Sequence, residues 1–511
     1  MHSSFHIVLF FFRITRIFKK FFFRKLLEIF MFGYNSTSKF SMNQKHIELH
    51  KYLGGNVREV IKIAIPLILA SAGHAINLFA DRIMLAHYSQ EAVSAAFPAG
   101  LTAFTLSCFF FGIAGYTNAF VAQYYGAKNY QRVGTSVWQG IFLAIIGGVI
   151  LGLGYFFASP LFSLFGHDPK VLQLEIAYFQ ILSLGTIFPL VMTALAAFWG
   201  GRGRTIVIMI NNLLVTGINI TCNYILIFGK TFTMPIMGEI QIPRLGIEGA
   251  AWGTVISGAI GMLIFLLLFL FNKKNREIYQ TCSHIFDWDL FKRMIYYGAP
   301  NGIQLFLDLS SFNVFAILLG LISIPVQEAA SIVFALNSIA FHPMIGLGQT
   351  VAILVGQSIG EQNIKHAKQS IRSGRFLIIL YSLCMLILFT FFSEPILELF
   401  ARTHDAGQRE AFDYALKFLY FISAYLLFDG IGIIYGNAIK SAGDTKFVMW
   451  VQIVVAWGFF AIPCILCQIF GGSVWWLWSI LVLYIILLAI IFYTRYRMGQ
   501  WKYMKVIEFN N

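Results

Sequence analysis

Charged residues are scarce in this sequence, because Asp, Glu, Lys and Arg together make up only 12% of its 511 residues. A soluble protein carries roughly 25% charge, since it has a large water-facing surface to cover. Hydrophobic residues reach 58% instead, so most of the outer surface must face lipid. The shortage of charge therefore excludes soluble enzymes and disordered proteins, and it predicts an integral membrane protein.

Cysteines and motifs of catalysis are scarce as well. Six cysteines are present and most of them fall within apolar runs, which predicts no disulfide framework. Cys464 and Cys467 have the spacing of a redox or metal-binding pair, but no second pair or His is nearby, so a packing role is favoured. No Gly-x-x-x-x-Gly-Lys-Ser/Thr sequence occurs, so ATP is not expected to drive the protein. We therefore predict no cofactor and no enzymatic activity.

Basic residues outnumber acidic ones, with 37 Lys and Arg against 23 Asp and Glu. A nucleic-acid-binding protein would cluster its basic residues on a soluble domain. In this chain they lie in short tracts between apolar runs, which is the pattern of the positive-inside rule. We therefore predict a lipid bilayer, and no nucleic acid, as the partner.

Twelve apolar runs are each long enough to cross a bilayer, which takes about 20 residues as a helix. They are predicted at 57–86, 92–123, 133–158, 171–198, 205–229, 246–272, 290–321, 326–359, 370–393, 411–438, 446–470 and 473–497. Lys and Arg concentrate in the loops after even-numbered runs, at positions such as Arg202, Lys273, Lys365, Lys440 and Lys446. The positive-inside rule therefore predicts these loops and both termini in the cytoplasm.

The first fifty residues alternate aromatic and basic clusters without one uninterrupted apolar span, as in the stretch from Phe10 to Lys25. Two interpretations stay open. The segment can lie on the membrane surface as an amphipathic helix, or translation can start at Met42 so that the tail is not made. Neither matches a cleavable signal peptide, which needs a compact apolar region and a small-residue cleavage site.

An internal repeat divides the remaining chain in two. Val121-Ala-Gln-x-x-Gly-x-x-Asn129 recurs as Val355-Gly-Gln-x-x-Gly-x-x-Asn363, and Gly203-Arg-Thr205 recurs as Gly443-Asp-Thr445. Such self-similarity predicts two six-helix halves, and because six is even, both halves enter the membrane in the same sense. We therefore predict an all-α integral membrane protein with twelve transmembrane helices in two six-helix lobes, related by a pseudo-two-fold axis along the membrane normal.

The repeat and a charged stretch in the middle of the chain also set the predicted boundaries. That stretch is the natural cytoplasmic linker between the lobes. The predicted parts are an N-terminal tail at 1–50, an N-terminal lobe at 51–272, the linker at 273–290, a C-terminal lobe at 291–498 and a cytoplasmic tail at 499–511.

Ionisable residues within the predicted spans are the main functional signal, because a charge near the bilayer centre costs at least about 2.5–3.5 kcal/mol. In the seventh span Asn301, Gln304 and Asp308 recur at steps of three and four, which puts them on one helical face. In the tenth span Tyr425 and Asp429 are four apart and are also neighbours on one face. Within the predicted spans, the basic residue nearest to Asp429 lies three turns before it. Because no basic partner is expected close by, a functional role of the two acids is favoured over a structural one.

The first half carries polar stripes of its own. Asn212, Asn219 and Asn223 follow one face of the fifth span, and Asp81 lies in the first span next to Arg82. Adjacent helical residues point apart, so Asp81 and Arg82 are not expected to pair directly. The asparagines are equally well explained by hydrogen bonds between helices, which are worth about 0.6 kcal/mol each. Both interpretations of the asparagines stay open.

With these motifs, the chain resembles the multidrug and toxic compound extrusion (MATE) family, closest to its bacterial NorM-like branch. The resemblance covers roughly residues 57–500, and each motif alone is weak, but their order is specific. The motifs are Asp81-Arg-Ile-Met84, Val121-Ala-Gln-x-x-Gly126-Ala, Leu245-Gly-Ile-x-Gly-Ala-Ala-Trp252, Val355-Gly-Gln-x-x-Gly360 and Ala442-Gly-Asp-Thr445. The sequence also departs from the family, since Arg82 replaces the usual Thr, Asp308 stands where Glu is common, and a frequent His-Gln is missing around Ala330.

The resemblance implies three groups of site residues. The coupling cation, Na⁺ or H⁺, would be bound by Asp308, Asp429 and Tyr425, with Na⁺ held at the two carboxylates. The first-lobe polar cluster of the family is matched by Asp81, Asn219 and Asn223. Additional cavity-lining residues are predicted at Asn301, Gln304 and Asn212.

The predicted function is a secondary active exporter of amphipathic organic cations, which exchanges them for Na⁺ or H⁺ by alternating access. The resemblance also implies a monomer in the bacterial inner membrane. One alternative is a lipid-linked-oligosaccharide flippase of the same superfamily, which would favour a strongly cationic cavity. A less favoured alternative is a polytopic transferase, which would need a nucleophile–base or metal constellation.

Overall fold

The computed structural model describes residues 55–164, 167–234, 238–398 and 406–508. The two interpretations of the N-terminal tail concern residues outside this part of the chain. Within it, twelve helices are long and apolar enough to cross a membrane, as predicted, and we number them span 1 to span 12. In order they are Val57–Tyr88, Gln90–Gly126, Tyr130–Gly152, Pro169–Gly200, Thr205–Phe228, Ile247–Phe271, Trp288–Gly320, Ile324–Gly360, Ile364–Phe391, Arg409–Ala442, Thr445–Ile469 and Val474–Met498.

Some spans contain more than one segment. Span 4 consists of Pro169–Gly185 and Ile187–Gly200, and span 11 consists of Thr445–Gln452, the π-helix Ile453–Ala461 and Ile462–Ile469. The helices of spans 7 and 10 run over Trp288–Ile322 and Ala406–Ala442. Shorter helices are Gly154–Ser163, Lys273–Tyr279, Ser393–Glu398 and the 3₁₀ turn Gln500–Lys502. The one local departure from an all-α fold in the described chain is an antiparallel hairpin of β1 (Lys230–Met234) and β2 (Gly238–Ile242) between spans 5 and 6.

The packing of the spans follows the predicted two-lobe arrangement. Span 1 packs on span 5, and span 2 packs on spans 3 and 4, while span 7 packs on span 11, and span 8 packs on spans 9 and 10. Between the lobes, span 1 packs on span 8, span 2 packs on span 7, and spans 2 and 8 pack on each other. Exchanging the two halves leaves this set of contacts unchanged, so the packing has the two-fold pseudosymmetry that the repeat predicts.

The repeated motif forms a contact between the lobes at the end of the molecule where spans 2 and 8 finish, which we call the motif end. Gln123 donates from its side-chain amide to the backbone carbonyl of Ser441 at 2.8 Å. Gln357 donates in the equivalent way to the carbonyl of Gly201 at 2.7 Å. The two glutamines of the repeat therefore tie each lobe to the other by pseudosymmetric hydrogen bonds.

Two glycines of the same motif determine how closely the lobes approach. A methyl group at Gly126 would overlap the backbone carbonyl of Gln357, and a methyl group at Gly360 would overlap that of Gln123. Glycine is needed where two backbones come this close, because any side chain would hold them apart. The Gln-x-x-Gly spacing thus supplies an amide donor and a bare backbone on each side of the pseudo-two-fold axis.

The last residue of the motif starts the next span. The side chains of Asn129 and Asn363 accept hydrogen bonds from the backbone N–H three residues later, at 3.4 and 3.1 Å. An Asn at this position satisfies N–H groups that have no partner within the helix. Lys128 and Gln362, which precede them, both have a φ of 58°. The whole repeat is therefore a helix end, a tight turn and a helix start.

The segment after span 12 crosses onto the N-terminal lobe at the motif end. Trp501 is buried and stacks on Tyr496 of span 12 with the ring centroids 5.5 Å apart. Val506 and Ile507 instead pack in a core cluster formed mainly by spans 2, 3, 4 and 6. The backbone N–H of Val506 donates to the side-chain oxygen of Gln123 at 2.9 Å. The segment that we predict as a tail therefore packs, up to residue 508, between both lobes.

Val506→Ala is expected to destabilise the protein by about 2 kcal/mol, since each buried methyl or methylene group contributes roughly 0.8 kcal/mol and a cavity remains. Thermal unfolding of the purified variant in detergent measures this as a lower Tm. Tyr503→Ala is the matched control, because the Tyr503 side chain in the same segment is 88% exposed. Equal Tm values for Val506→Ala and the unmodified protein would contradict the docking of this segment.

Candidate functional site

Asp308 lies within the C-terminal lobe, where spans 7, 11 and 12 meet. Its Oδ1 accepts hydrogen bonds from the side-chain amide of Gln452 at 2.8 Å and from the hydroxyl of Tyr484 at 3.1 Å. Gln452 donates its second amide proton to the Tyr484 hydroxyl at 2.8 Å. The three side chains form a closed ring that uses both amide protons and the hydroxyl proton. Both donors converge on one carboxylate oxygen, and this leaves Oδ2 for another ligand.

The two donors to Asp308 are held in place by the fold around them. Gln452 is the last residue of the α-helix before the π-helix Ile453–Ala461. A π-helix is uncommon and is frequent at functional sites, because its wider turn redirects side chains. Phe460 of this π-helix stacks on the ring of Tyr484 with the centroids 4.7 Å apart. The irregular segment of span 11 therefore orients both hydrogen-bond donors.

Asp429 and Tyr425 lie on span 10 in the same lobe. Asp429 is close enough to Asp308 for that carboxylate to act on it through space, although no hydrogen bond between the two acids is described. Tyr425 is one helical turn from Asp429, interacts with it electrostatically and is buried in the lobe core. The structure thus places the three residues predicted for the coupling cation in one lobe, and it adds Gln452 and Tyr484 as partners of Asp308, which the sequence alone does not reveal.

Lys440 lies within the helix of span 10, whereas its position after an apolar run predicts a cytoplasmic loop. The helix of span 10 continues to Ala442, and the Nζ of Lys440 donates to Gln304 Oε1 on span 7 at 3.2 Å. Gln304 is one turn before Asp308, and Lys440 interacts electrostatically with that carboxylate. The helix ends at Gly443, which has a φ of 118°, as is common for a C-terminal glycine. The expectation that no base lies near the acids is therefore wrong.

The polar residues predicted for the N-terminal lobe also meet. Asn223 donates to Asp81 Oδ1 at 2.5 Å and to Asn219 Oδ1 at 3.2 Å. Asn219 in turn donates to the hydroxyls of Thr254 at 3.2 Å and Ser257 at 3.5 Å on span 6. The cluster joins spans 1, 5 and 6 and links the carboxylate of Asp81 through two asparagine amides to two hydroxyl groups. Thr254 and Ser257 were missed, because hydroxyl residues are common packing residues in spans.

Gly253 makes room for this cluster. A methyl group there would overlap Oδ1 of Asn223, so the glycine allows span 6 to approach the asparagine. Arg82, which adjoins Asp81, points elsewhere, and its guanidinium lies over the ring of Phe97 at 5.2 Å. As expected for adjacent helical residues, Arg82 is not a partner of the Asp81 carboxylate among the described ion pairs.

The three residues predicted to line the cavity have different surroundings. Asn301 donates to the backbone carbonyl of Gly112 at 2.7 Å, and this bond joins span 7 to span 2. Gln304 is the acceptor for Lys440 beside Asp308. The carbonyl of Asn212 accepts a hydrogen bond from Thr216 within span 5 at 2.9 Å. Gln304 is thus the one of the three that lies beside the acid site, where its described contact is with Lys440.

Twelve spans in two pseudosymmetric lobes, each with a buried polar network around an acid, define the fold of a polytopic membrane transporter. The family model described as MatE matches residues 66–225 and 300–466. These two stretches cover more than half of the chain and correspond to the two lobes. The chain therefore belongs to the MatE family, in agreement with the resemblance of its motifs.

Known proteins similar to this chain agree with that assignment. A probable multidrug resistance protein NorM of Thermotoga maritima is 25% identical over 403 residues, which cover 78% of this chain and 83% of that protein. A probable multidrug resistance protein YoeA of Bacillus subtilis is 27% identical over 410 residues, covering 78% and 83%. The solved outward-facing conformation of a multidrug resistance MATE family transporter superposes with a TM-score of 0.76 at 17% identity, covering 90% of this chain and 100% of that chain.

Proposed function

We propose that this protein is a secondary active exporter of amphipathic organic cations, driven by Na⁺ or H⁺ that enters at the acid pair Asp308 and Asp429. The observation that carries this proposal is the carboxylate of Asp308, held by Gln452 and Tyr484 inside the lobe and close to a second carboxylate. Acids are costly within a membrane and are kept there mainly for ion or substrate pathways. Carboxylate and hydroxyl oxygens suit Na⁺, and a carboxylate can also carry a proton.

The driving force for export depends on the net charge that crosses the membrane. One elementary charge that moves down 100 mV releases about 2.3 kcal/mol, but a monovalent organic cation carries the same charge back out. One-for-one exchange is therefore driven by the concentration gradient of the ion, and an about tenfold ion gradient supports an about tenfold substrate gradient. Binding of the cation favours one state of the lobes only by its difference in affinity between the two states. In our proposal, the charge of the acid pair supplies that difference. Two ionised carboxylates without a bound cation are destabilised when the site closes to water.

Alternating access is assigned to rocking of the two lobes about their pseudo-two-fold interface. The glutamines and glycines of the motif end support this, because they make short contacts between the lobes. These contacts would all break together when the lobes move apart at that end. The complete pair of lobes lies in one chain, so we propose that a monomer transports.

The substrate class follows from the charges inside the spans and from the related proteins, which are named for multidrug resistance. Asp81, Asp308 and Asp429 are acids, and Lys440 is the one base that we find beside them in the described spans. A cavity of this charge favours organic cations, which aromatic faces also bind. The flippase alternative would need a predominantly cationic cavity for an anionic lipid.

A panel of fluorescent dyes tests the substrate class. Cells that express the protein should accumulate less of a cationic amphipathic dye than cells with an empty vector, whereas a matched anionic dye should reach equal levels in both. Export of the anionic dye alone would favour the flippase alternative. Equal accumulation of every dye would contradict the export of organic cations.

The orientation is proposed from the distribution of Lys and Arg, with the motif end in the cytoplasm. Cysteine placed at Arg204, which is exposed at the motif end, should react with a membrane-impermeant maleimide only after permeabilisation. Cysteine placed at Gln241, which is exposed in the hairpin between spans 5 and 6, should react in intact cells. Both variants are made in a background without the six native cysteines. The reverse pattern of labelling would overturn the orientation.

Tyr484→Phe is expected to strengthen binding of the driving cation about tenfold, because the Tyr484 hydroxyl stabilises the empty, charged carboxylate of Asp308, and a hydrogen bond to a charged group contributes roughly 1.5–3 kcal/mol. The measurement is the half-saturating cation concentration for transport in proteoliposomes. Phe keeps the ring that stacks on Phe460, so the variant should fold. Tyr493→Phe is a matched control on the same span, because its ring packs against Tyr435 and no hydrogen bond to Asp308 is described for its hydroxyl. An unchanged half-saturating concentration in Tyr484→Phe would exclude this hydroxyl from the site.

A further inference from the structure

Lys440 has no carboxylate partner at ion-pair distance among the described residues, although it is half-buried in the C-terminal lobe. Its ammonium group donates to the neutral amide oxygen of Gln304 at 3.2 Å. Asp444, the acid four residues further along the chain, pairs instead with Arg495 at 2.7 Å. The positive charge of Lys440 therefore has no ion-pair partner among the described residues, and it acts through space on the carboxylate of Asp308.

The position of Lys440 is fixed by both lobes. Its backbone carbonyl accepts a hydrogen bond from the hydroxyl of Tyr116 on span 2 at 2.8 Å. Its side chain reaches span 7 at Gln304, which shares a helical face with Asp308 one turn away. The ammonium group thus lies on the motif-end side of the acid pair and cannot move far without breaking one of these contacts.

We propose that Lys440 is a fixed counter-charge that sets the net charge of the empty cation site to −1. This rests on the proposed function of Asp308 and Asp429. Two ionised carboxylates and one ammonium group leave a single uncompensated negative charge, which one monovalent cation neutralises. Without the ammonium group the site would carry −2, and it would then favour a second monovalent cation or one divalent cation. Lys440 therefore determines both the number and the valence of the cations bound per cycle.

The direct test is Lys440→Gln, which removes the charge and keeps a donor for Gln304. In proteoliposomes with an imposed gradient of the driving cation, the half-saturating concentration for dye transport should fall at least about tenfold. Ca²⁺ should inhibit the variant at concentrations that leave the unmodified protein unaffected. Lys440→Arg keeps the charge and should behave like the unmodified protein in both measurements.

Two further variants keep the test decisive. Gln304→Glu adds a negative charge beside Lys440 without removing the lysine, so it should also lower the half-saturating concentration and introduce inhibition by Ca²⁺. Lys446→Gln removes the same charge from a lysine that lies over the ring of Tyr296, and it should change neither property. If Lys440→Gln does not fold, Gln304→Glu gives the answer on its own.

The outcomes separate this inference from the proposed function. The role of Lys440 is tested once the unmodified protein is driven by a cation and Asp308→Asn is not. An unchanged half-saturating concentration, without inhibition by Ca²⁺, in both Lys440→Gln and Gln304→Glu would then overturn that role. If the unmodified protein ignores every cation gradient, the proposed function itself fails.

Discussion

Asp308→Asn and Asp429→Asn should each reduce cation-driven export at least a hundredfold while leaving the amount of protein in the membrane unchanged. An amide keeps the size of the carboxylate, but it loses the charge that attracts a cation and the site that accepts a proton. At position 308 the amide oxygen can still accept from Gln452 and Tyr484, so packing of the lobe should persist. Dye efflux from vesicles under an imposed ion gradient measures the loss.

Two controls make this result specific to the acid site. Asp289→Asn changes an acid in the first turn of span 7, far along the helix from Asp308, and it should transport normally. The two acids act on each other, so they should titrate as a pair. Because loss of either acid already disables the shared site, the double variant should be no less active than either single variant. If both single variants exported dye at the rate of the unmodified protein, the two acids would have no role in coupling. The polar residues on one face of span 7 would then serve only in packing between helices.

Gly360→Ala should also nearly abolish transport, and for a different reason. The added methyl group would overlap the backbone carbonyl of Gln123, and a backbone contact cannot be relieved by turning a side chain. The variant should therefore be unable to close the motif end, while cation binding at Asp308 persists. A pair of cysteines placed across the motif end, one in each lobe, should crosslink readily in the unmodified protein and at least tenfold more slowly in the variant.

Gly126→Ala is the symmetric counterpart, because its methyl group would overlap the carbonyl of Gln357, and it should behave in the same way. Gly217→Ala is the matched control, since a methyl group there has no neighbour within 4 Å. Equal crosslinking and transport in Gly360→Ala and Gly217→Ala would contradict the idea that these glycines set the approach of the lobes.

The parts of this architecture that repeat in the sequence could be predicted from it. A motif that occurs twice must obey the symmetry of the two halves, and the structure places Gln123 and Gln357 at equivalent contacts. The faces that carry Asp308 and Asp429 follow from helical periodicity. Asp81 and Asn223 are brought together as their shared polarity suggests, because buried polar groups in spans seek partners.

Other features depend on tertiary packing that one sequence does not reveal. Gln452 and Tyr484 reach Asp308 from spans 11 and 12, and neither forms a polar stripe with its sequence neighbours. The π-helix that orients them arises within a uniformly apolar run. Lys440 was misplaced because charge near a helix end is usually a loop signal, whereas the helix here continues to Ala442.

We propose that the acid pair couples an ion gradient to export. The most direct measurement of this coupling uses proteoliposomes that contain the purified protein, in which a Na⁺ gradient and a proton gradient are imposed separately while a cationic dye is followed. We expect one of the two gradients to drive the dye against its own concentration gradient in the unmodified protein, and neither to do so in the Asp308→Asn/Asp429→Asn double variant. Dye movement that is independent of both gradients, or uphill movement in the double variant, would contradict it.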